Sequence, residues 1–258
     1  MAAPRISVVV PAFNEEQEIA ATVGGIVTTL ERLGGSFEIL VVDNASTDGT
    51  VGALAPLLSD TRIRLLRNPE NIGKGGSVRR GMLEATGELR LHCDADCAGS
   101  LVSLPEMLAD IRDADLVVGS RAVGESRVGL RQPLRRRIAG HGFIALCRAA
   151  LREPTRDLFC GFKLWRGPAA EATFARVDLP GWVFDAEAIA VARALGFRIV
   201  ERGITWNDRR GSRLQMARVF VPVLRELHRA RGTVRAIAAE PPVSPAPPVG
   251  DALPPAAL

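Results

Sequence analysis

Aromatic residues are scarce in this sequence. It contains no tyrosine, and phenylalanine and tryptophan make up only 5% of its residues. Proteins that bind single-stranded nucleic acid commonly stack the bases on aromatic side chains, so this scarcity argues against a nucleic-acid partner. Apolar runs of about 18 residues, the length that a bilayer-spanning helix needs, are also missing. No signal peptide is expected, because the first residues lead directly into a short apolar segment.

Cysteine and lysine are rare as well. We expect the cysteines to be reduced thiols of a cytoplasmic protein, because they lack the paired Cys and His spacing of a zinc site. They are Cys93, Cys97, Cys147 and Cys160. Lysine occurs only at Lys74 and Lys163, so arginine supplies nearly all of the basic residues behind the net charge of +4. This basic excess suits a phosphate-bearing substrate, an anionic membrane surface or solubility alone.

Two carboxylates end the most informative segment, residues 89–96. Leu89 and Leu91 fall on one face of a predicted strand, and Asp94 and Asp96 follow at its end. A loop can bring two such side chains onto one hard cation, and Mg²⁺ or Mn²⁺ accepts carboxylate oxygens together with substrate phosphates. The alternative is a pair of aspartates that only caps the turn by local hydrogen bonds.

Three earlier segments also read as strands, at residues 6–11, 37–42 and 63–66. Helical segments separate them, the first of which is predicted to open at residues 14–16 with acidic residues in its first turn. This alternation predicts an α/β fold with a parallel sheet. Asp43 then lies at the same sheet edge as Asp94 and Asp96, where open α/β sheets bind ligands. We therefore predict a nucleotide site in which Asp43 holds the base or the ribose.

A glycine-rich segment, residues 71–77, precedes the third predicted helix. Its backbone N–H groups and Lys74 can face a phosphate group at the helix start. The alternative is a flexible helix entry with no ligand.

Four motifs together resemble the family 2 glycosyltransferases: residues 9–15, 42–50, 71–75 and 94–96. The resemblance implies a GT-A fold, which is a Rossmann-like α/β fold with a mostly parallel central sheet flanked by helices. It also implies a nucleotide-sugar donor, inversion at the anomeric carbon, and Mg²⁺ or Mn²⁺ on Asp94 and Asp96. The donor-binding residues that it implies are Pro11, Ala12, Asn14, Glu15, Asp43, Asn44, Ser46, Lys74, Asp94 and Ala95.

The second half resembles the polyprenyl-phosphate branch of that family, in residues 116–121, 156–164, 181–187 and 205–214. It is more similar to dolichyl-phosphate β-glucosyltransferases than to dolichyl-phosphate mannose synthases, which tend to have a metal-binding Gln at the position of Ala98. The resemblance implies transfer of a hexose, with glucose favoured, to a polyprenyl phosphate. A GDP-mannose donor, a soluble acceptor, and a nucleotide-sugar-binding protein without turnover are the alternatives.

Arginines are concentrated between residues 121 and 151. A helix that starts near Pro133 would place Leu134, Ile138 and Leu146 near one face, which suits a helix lying on the cytoplasmic surface of a membrane. A basic helix packed on the sheet is the alternative. Either way, arginines can bind an acceptor phosphate, and the candidates are Arg121, Arg136, Arg137, Arg209 and Arg213.

A phosphate acceptor is already ionised at neutral pH, so we predict no dedicated general base. Asp185 and Glu187, two positions apart on a helix predicted from Trp182 to Leu195, are the candidates if a base exists. The residues predicted to act in catalysis are Asp94, Asp96, Arg121 and Asp185.

The proline-rich C-terminal end differs in composition from the rest of the chain. We predict a transferase domain over residues 1–235 and a disordered Pro/Ala-rich tail over residues 236–258.

Overall fold

The computed structural model of the protein describes residues 3–124, 126–128, 134–206 and 216–240, and gives only the backbone of residues 127–128, 134–139, 141 and 216–221. A seven-stranded sheet forms its centre. The sheet consists of β1 (Ile6–Ala12), β2 (Phe37–Asp43), β3 (Ile63–Arg67), β4 (Leu89–Cys93), β5 (Leu116–Ser120), β7 (Phe162–Arg166) and β8 (Ile199–Gly203). Two short strands, β6 (Arg127–Val128) and β9 (Thr205–Trp206), form a separate parallel pair.

The strands of the large sheet lie in the order β3-β2-β1-β4-β7-β5-β8. All of its pairings are parallel except those of β7, which runs antiparallel to β4 and to β5. The predicted α/β class with a mostly parallel central sheet is therefore confirmed.

Helices cover both faces of the sheet. One face packs against α1 (Ile19–Leu33), α2 (Thr50–Leu54) and α4 (Leu104–Asp110). The other face packs against α3 (Gly73–Glu84), α5 (Leu134–Leu151), α6 (Gly167–Phe174), α7 (Phe184–Ala194) and α8 (Met216–Ile237). Along β1, Val8 and Val10 enter the first layer and Val9 enters the second. Burial on both faces explains why β1 and β2 read as nearly continuous apolar runs.

The predicted start of the first helix is wrong. Helix α1 begins at Ile19 and has no acidic residue in its first turn. Residues 14–16 instead bond to the loop that follows β2: Asn14 Oδ1 accepts the Thr47 N–H at 2.9 Å, and Glu16 Oε2 accepts the Gly49 N–H at 2.8 Å. These contacts, between residues more than 30 positions apart, hold the segment out of the helix.

Strand β7 was not predicted as a strand. It carries Lys163 and Arg166, although all five of its residues are buried. These two charged residues interrupt the apolar run that is typical of an inner strand, so the sequence does not reveal a strand in the middle of the sheet.

The C-terminal helix passes the predicted domain boundary at residue 235 and ends at Ile237. Residues 241–258 of the predicted tail lie outside the described residues. All four cysteines are buried free thiols, as expected. Among the described residues, no helix combines the length and apolarity that crossing a bilayer requires.

Gly81 gives a direct test of how α3 packs on the sheet. A Cβ atom at Gly81 would lie 2.3 Å from Val9 Cγ1 and 3.0 Å from Val42 Cγ2. We expect Gly81→Ala to lower the free energy of unfolding by about 1–3 kcal/mol through overpacking. Urea denaturation followed by circular dichroism measures this.

Gly24 in α1 is the matched control, because a Cβ there would meet nothing within 4 Å. Gly24→Ala should leave stability unchanged or raise it by up to about 1 kcal/mol, since alanine favours the helix. Equal destabilisation by both substitutions would contradict the packing described for Gly81.

Candidate active site

Three neighbouring strands bring their carboxyl ends to one edge of the sheet. β1 ends at Ala12 beside Asp43 at the end of β2, and β4 pairs with the other side of β1. Asp94 follows the last residue of β4 directly. The structure thus places Asp43 and Asp94 along one rim, as the alternation of strands and helices predicts.

Asp94 and Asp96 converge as predicted for a cation site. One ligand atom each of Asp94, Asp96 and Cys97 lies within 4.8 Å of the others. Asp94 is partly buried, and Asp96 is exposed at the surface. Two carboxylates at this separation suit a divalent cation that also takes phosphate oxygens. The donor set therefore fits Mg²⁺ or Mn²⁺.

The charge state of the pair supports this fit. Burial would raise the pKa of Asp94, but the charge of Lys74 and the hydrogen bond from His92 outweigh it and hold that pKa well below its ordinary value. Partial withdrawal from water, followed by the repulsion of Asp94, raises the pKa of Asp96. A cation between the two carboxylates would relieve that repulsion.

A backbone contact fixes the position of Asp94. Its N–H donates to the Gly161 carbonyl at 2.8 Å. A Cβ at Gly161 would lie 1.8 Å from Asp94 Oδ2, so only glycine leaves room for the carboxylate. Gly161 belongs to the segment that enters β7, and the antiparallel strand therefore shapes the site.

Lys74 lies at the start of α3, as its glycine-rich segment predicts, but its partners are carboxylates. Its Nζ donates to Asp94 Oδ2 at 2.7 Å and lies 3.6 Å from Asp185 Oδ2. Burial lowers the pKa of Lys74, yet these two carboxylates raise it well above its usual value. The rings of Trp182 and Phe184 lie 5.5 and 5.7 Å from its ammonium group. Lys74 is thus a fixed positive charge beside the Asp94 carboxylate.

The Asp185 side chain is buried behind Lys74 and is shielded from solvent. It is 3% exposed and accepts a hydrogen bond from Lys163, whose Nζ also donates to the Cys160 carbonyl at 2.6 Å. His92 Nδ1 lies 3.8 Å from Asp185, and His92 Nε2 lies 3.0 Å from Asp94 Oδ1. Two lysines neutralise Asp185, which disfavours it as a general base.

The Glu187 side chain points away from Asp185, because residues two positions apart on a helix do not share a face. Its Oε2 accepts the N–H groups of Asp178 and Leu179 at 3.3 and 3.1 Å. Burial raises its pKa. Glu187 therefore holds the loop that precedes α7.

The Asp43 carboxylate lies buried beside residues that line a surface depression. Asp43 is fully buried, and its Oδ1 accepts the Ser46 N–H at 3.1 Å. Its Oδ2 accepts no hydrogen bond among the described residues and lies 3.5 Å from Arg67 Nε. The adjoining depression of about 360 Å³ is lined by Ala45, Ser46, Arg67, Asn68 and Pro69. An acceptor oxygen at such a depression suits the N–H of a nucleobase or a ribose hydroxyl.

Asn44 holds the loop before α3 in place. Its Oδ1 accepts the Asn68 side-chain N–H at 3.0 Å and the Ile72 N–H at 2.9 Å. Its Nδ2 donates to Asn71 Oδ1 at 2.8 Å. The amide of Asn44 is thus occupied by protein partners, which leaves its contact with a donor a prediction.

The predicted donor residues after β1 line the same rim. The Asn14 N–H donates to Ser46 Oγ at 3.0 Å, and the Glu15 N–H donates to Thr50 Oγ1 at 2.8 Å. Asn14 has a left-handed backbone with φ of 57°, which asparagine tolerates better than most residues. Pro11 and Ala12 end β1 at this edge.

Arg121 directly follows β5 and forms a two-point ion pair. Its Nε and Nη2 donate to the two Asp157 oxygens at 2.7 and 2.9 Å, and its guanidinium lies 5.1 Å from the Trp206 ring centroid. Burial lowers the pKa of Arg121, but Asp157 raises it well above the usual value. The sequence places Arg121 after a fifth predicted strand, whose end would lie beside the Asp94 loop if the two strands were neighbours; they are not, because β7 separates β4 from β5.

The other predicted phosphate-binding arginines cannot be placed by their side chains. Arg136 and Arg137 belong to α5, and their side chains lie outside the described residues. Arg209 and Arg213 lie outside the described residues altogether.

Sequence reasoning missed three residues of this site: His92, Asp157 and Lys163. Each is buried and polar. One signal could have found Lys163, because it is one of two lysines in an arginine-rich chain and the other is Lys74. Asp157 pairs with the distant Arg121, and His92 contacts the distant Asp185 as well as the nearby Asp94.

A model of one protein family matches most of the chain. It is described as "Glycosyl transferase family 2" and matches residues 7–174. A dolichyl-phosphate beta-glucosyltransferase of Drosophila melanogaster is 33% identical over 224 residues, which cover 81% of this chain and 69% of that protein. The human protein of the same name is 28% identical over 225 residues, covering 81% and 69%. The chain spans about two thirds of the length of such relatives.

Solved structures show the same fold. Glucosyl-3-phosphoglycerate synthase from Mycobacterium tuberculosis, in complex with Mn²⁺ and UDP-glucose, is similar with a TM-score of 0.62 and 17% identity, covering 88% of this chain and 79% of that one. TarS from S. aureus is similar with a TM-score of 0.57 and 16% identity, covering 91% and 69%. The family match and the identity to its relatives establish that this chain belongs to glycosyl transferase family 2.

Proposed function

We propose that the protein transfers glucose from UDP-glucose to the phosphate of a polyprenol of the dolichyl type, with inversion at the anomeric carbon. The names of the relatives from Drosophila melanogaster and from humans support the acceptor and the sugar. The UDP-glucose complex of the mycobacterial enzyme supports the donor.

One observation carries the proposal. The Asp94–Asp96 pair lies on the same sheet edge as the depression beside Asp43 and as Arg121, which follows β5 and pairs with Asp157. These three features suit a nucleoside, a metal-bound diphosphate and an acceptor phosphate, in that order across the sheet. No such order is needed by a protein that binds a nucleotide alone.

The chemistry follows from the acceptor. A phosphate monoester carries its charge at neutral pH, so its oxygen can attack the anomeric carbon without losing a proton to the protein. The bond from that carbon to the diphosphate oxygen breaks, and the nucleoside diphosphate leaves from the opposite face. The burial of Asp185 between two lysines is consistent with a reaction that has no dedicated carboxylate base.

Asp94 and Asp96 would hold the divalent cation through their carboxylate oxygens. Such a cation supplies charge stabilisation to the departing diphosphate. Lys74, already fixed beside Asp94, adds a positive charge at the same place. A fixed charge that needs no rearrangement during the reaction is the most effective form of this stabilisation.

Arg121 would bind the acceptor phosphate. Among the described residues, Asp157 takes its Nε and Nη2, so the Nη1 donors stay available to a ligand. Asp157 would thereby orient the guanidinium. Arg136, Arg137, Arg209 and Arg213 are the further candidates that the sequence offers.

A lipid acceptor requires the protein to approach a membrane surface. Helix α5 exposes Leu146 and helix α8 exposes Leu224, 38% and 41% of each residue. Arg225, Arg231 and Arg235 are exposed along α8. Exposed leucines among arginines suit peripheral contact with anionic lipids, and we propose such contact through α5 and α8.

A transfer assay tests the proposal and the metal site together. With UDP-glucose, polyprenyl phosphate and Mg²⁺ or Mn²⁺, the wild-type protein should produce a glucolipid that extracts into organic solvent. Asp96→Asn should reduce transfer to background and weaken Mn²⁺ binding in electron paramagnetic resonance titrations, because it removes an exposed ligand. Asp113→Asn, at an exposed turn, is the control. The same assay with GDP-mannose or a soluble phosphomonoester separates the alternative donor and acceptor.

Transfer that persists in Asp96→Asn with a chelator present would reject the metal assignment. If a glucoside forms only on the soluble phosphomonoester, the acceptor is a soluble phosphate and not a polyprenyl phosphate.

The buried Asp43 carboxylate predicts a specific loss of nucleotide affinity. Because its Oδ2 accepts no hydrogen bond among the described residues, it should accept one from the donor. Asp43→Ala should weaken UDP binding by about 10- to 100-fold, the worth of a hydrogen bond to a charged group. Calorimetric titration with UDP measures this, and Asp60→Asn is the control because Asp60 pairs with Arg62 before β3. An unchanged UDP affinity would move the nucleoside to another part of the edge.

The acceptor role of Arg121 predicts a change in acceptor KM. Arg121→Ala should raise it by about 10- to 100-fold at saturating donor, and Arg121→Lys should recover only part of this because lysine lacks the planar fork. Arg202 is a matched control, since it forms a two-point pair with Asp110 and its side chain is 31% exposed, as is that of Arg121. If Arg202→Ala raises the acceptor KM equally, the effect comes from a lost ion pair and not from the phosphate.

A further inference from the structure

Trp182 is a large aromatic residue that the fold leaves in contact with solvent. It is 51% exposed, although burying a tryptophan would stabilise the protein. Its ring centroid lies 5.5 Å from Lys74 Nζ, which in turn bonds to Asp94. Lys74 therefore links Trp182 to Asp94, which is a candidate metal ligand.

The loop that carries Trp182 is held firmly on both sides. The Pro180 carbonyl accepts the Gly75 N–H at 2.8 Å, and a Cβ at Gly75 would lie 2.1 Å from the Leu179 carbonyl oxygen. On the other side, the Val183 N–H donates to Glu226 Oε2 at 3.4 Å. A Cβ at Gly181 would meet the same Glu226 carboxylate at 2.0 Å. The backbone that carries the exposed ring is thus positioned before any ligand binds, which lowers the entropic cost of contacting one.

The strand order leaves an interval between Asp94 and Arg121, and Trp182 borders the Asp94 side of it through Lys74. β4 leads into Asp94 and β5 leads into Arg121, and β7 lies between them. Two strand spacings separate the ends of β4 and β5, or about 9–10 Å. A sugar that moves from a diphosphate to an acceptor phosphate has to occupy this interval. Of the side chains at the start of α7, Asp185 is buried and Trp182 is exposed.

We propose that Trp182 is the binding platform for the hexose of the donor, with its indole face stacked on the C–H face of the sugar ring. This inference rests on the proposed function. It assigns Trp182 to the sugar, and neither to the nucleoside, which the Asp43 depression takes, nor to the acceptor phosphate. The competing explanation is that the ring only covers the Lys74 ammonium by a cation–π contact.

Affinities for UDP and for UDP-glucose separate these explanations. Both ligands carry the diphosphate next to Lys74, but only UDP-glucose has the hexose. Trp182→Ala should bind UDP-glucose about 3- to 10-fold more weakly than the wild type, the worth of one aromatic contact, and should bind UDP with unchanged affinity. Trp182→Phe should keep most of the UDP-glucose affinity. Calorimetric titration in the presence of Mn²⁺ measures the dissociation constant of each ligand for the wild type and for each variant.

Leu83→Ala is the matched control, because Leu83 is an exposed apolar residue on α3 outside the site. It should leave both affinities unchanged. Circular dichroism of each variant checks that the fold is intact. Tryptophan fluorescence gives a second readout: UDP-glucose should change the emission of the wild type more than UDP does, and this difference should vanish in Trp182→Phe.

Three results would overturn the proposal. Equal weakening of UDP and UDP-glucose in Trp182→Ala would reduce Trp182 to a cover for Lys74. A change confined to the acceptor KM would assign the ring to the acceptor. If Trp182→Ala changes neither the two nucleotide affinities nor the acceptor KM, Trp182 does not belong to the site. Transfer by the wild-type protein would in that case still support the proposed function. A wild-type protein without transfer or UDP-glucose binding would reject the proposed function itself.

Discussion

The buried ion pair between Lys163 and Asp185 supports the rest of the site. Asp185 contacts Lys74 and His92, and these two residues hold the Asp94 carboxylate. Removing a charged group from water costs several kcal/mol, and loss of one partner of a buried pair typically costs about 3–5 kcal/mol. Each charge in this chain of contacts therefore depends on the next. Both lysines of the sequence are used here, where a compact ammonium group fits between carboxylates more easily than a guanidinium fork.

Backbone contacts set the second constraint on the site. Asp94 lies against the Cα of Gly161, and the loop before α7 lies against Gly75. Side chains at these two positions would push the Asp94 carboxylate and the Trp182 loop away from α3 and β7. The glycines thus serve close packing between backbone segments, and neither has a left-handed backbone. The glycine-rich start of α3 reads from the sequence as a phosphate loop, but in the structure part of its glycine content serves packing against residues 179–180.

The sequence was sufficient to predict the elements that local signals define. β1 and β2 are nearly continuous apolar runs, β4 carries Leu89 and Leu91, and the aspartates that end β2 or follow β4 mark the site edge. It was insufficient where a distant partner decides the structure. The start of α1 depends on hydrogen bonds to residues 46–50, and β7 accommodates the charge of Lys163 because Asp185, 22 positions later, neutralises it. Asp157 was missed for the same reason, because its partner Arg121 lies 36 positions away. A buried polar residue carries no local mark of the partner that satisfies it.

The antiparallel strand has an electrostatic consequence for the proposed reaction. The donor diphosphate and the acceptor phosphate are both anions, and they repel each other when they approach the same carbon atom. Inserting β7 between β4 and β5 keeps their binding groups about two strand spacings apart, which is wide enough for a hexose. The positive charges are distributed accordingly, with Lys74 on the donor side and Arg121 on the acceptor side. Each charge is held by a carboxylate, Asp94 or Asp157, so that neither side presents a large net charge before the substrates bind. A parallel strand order without β7 would place the two phosphate sites one spacing apart and would leave the sugar no room between them.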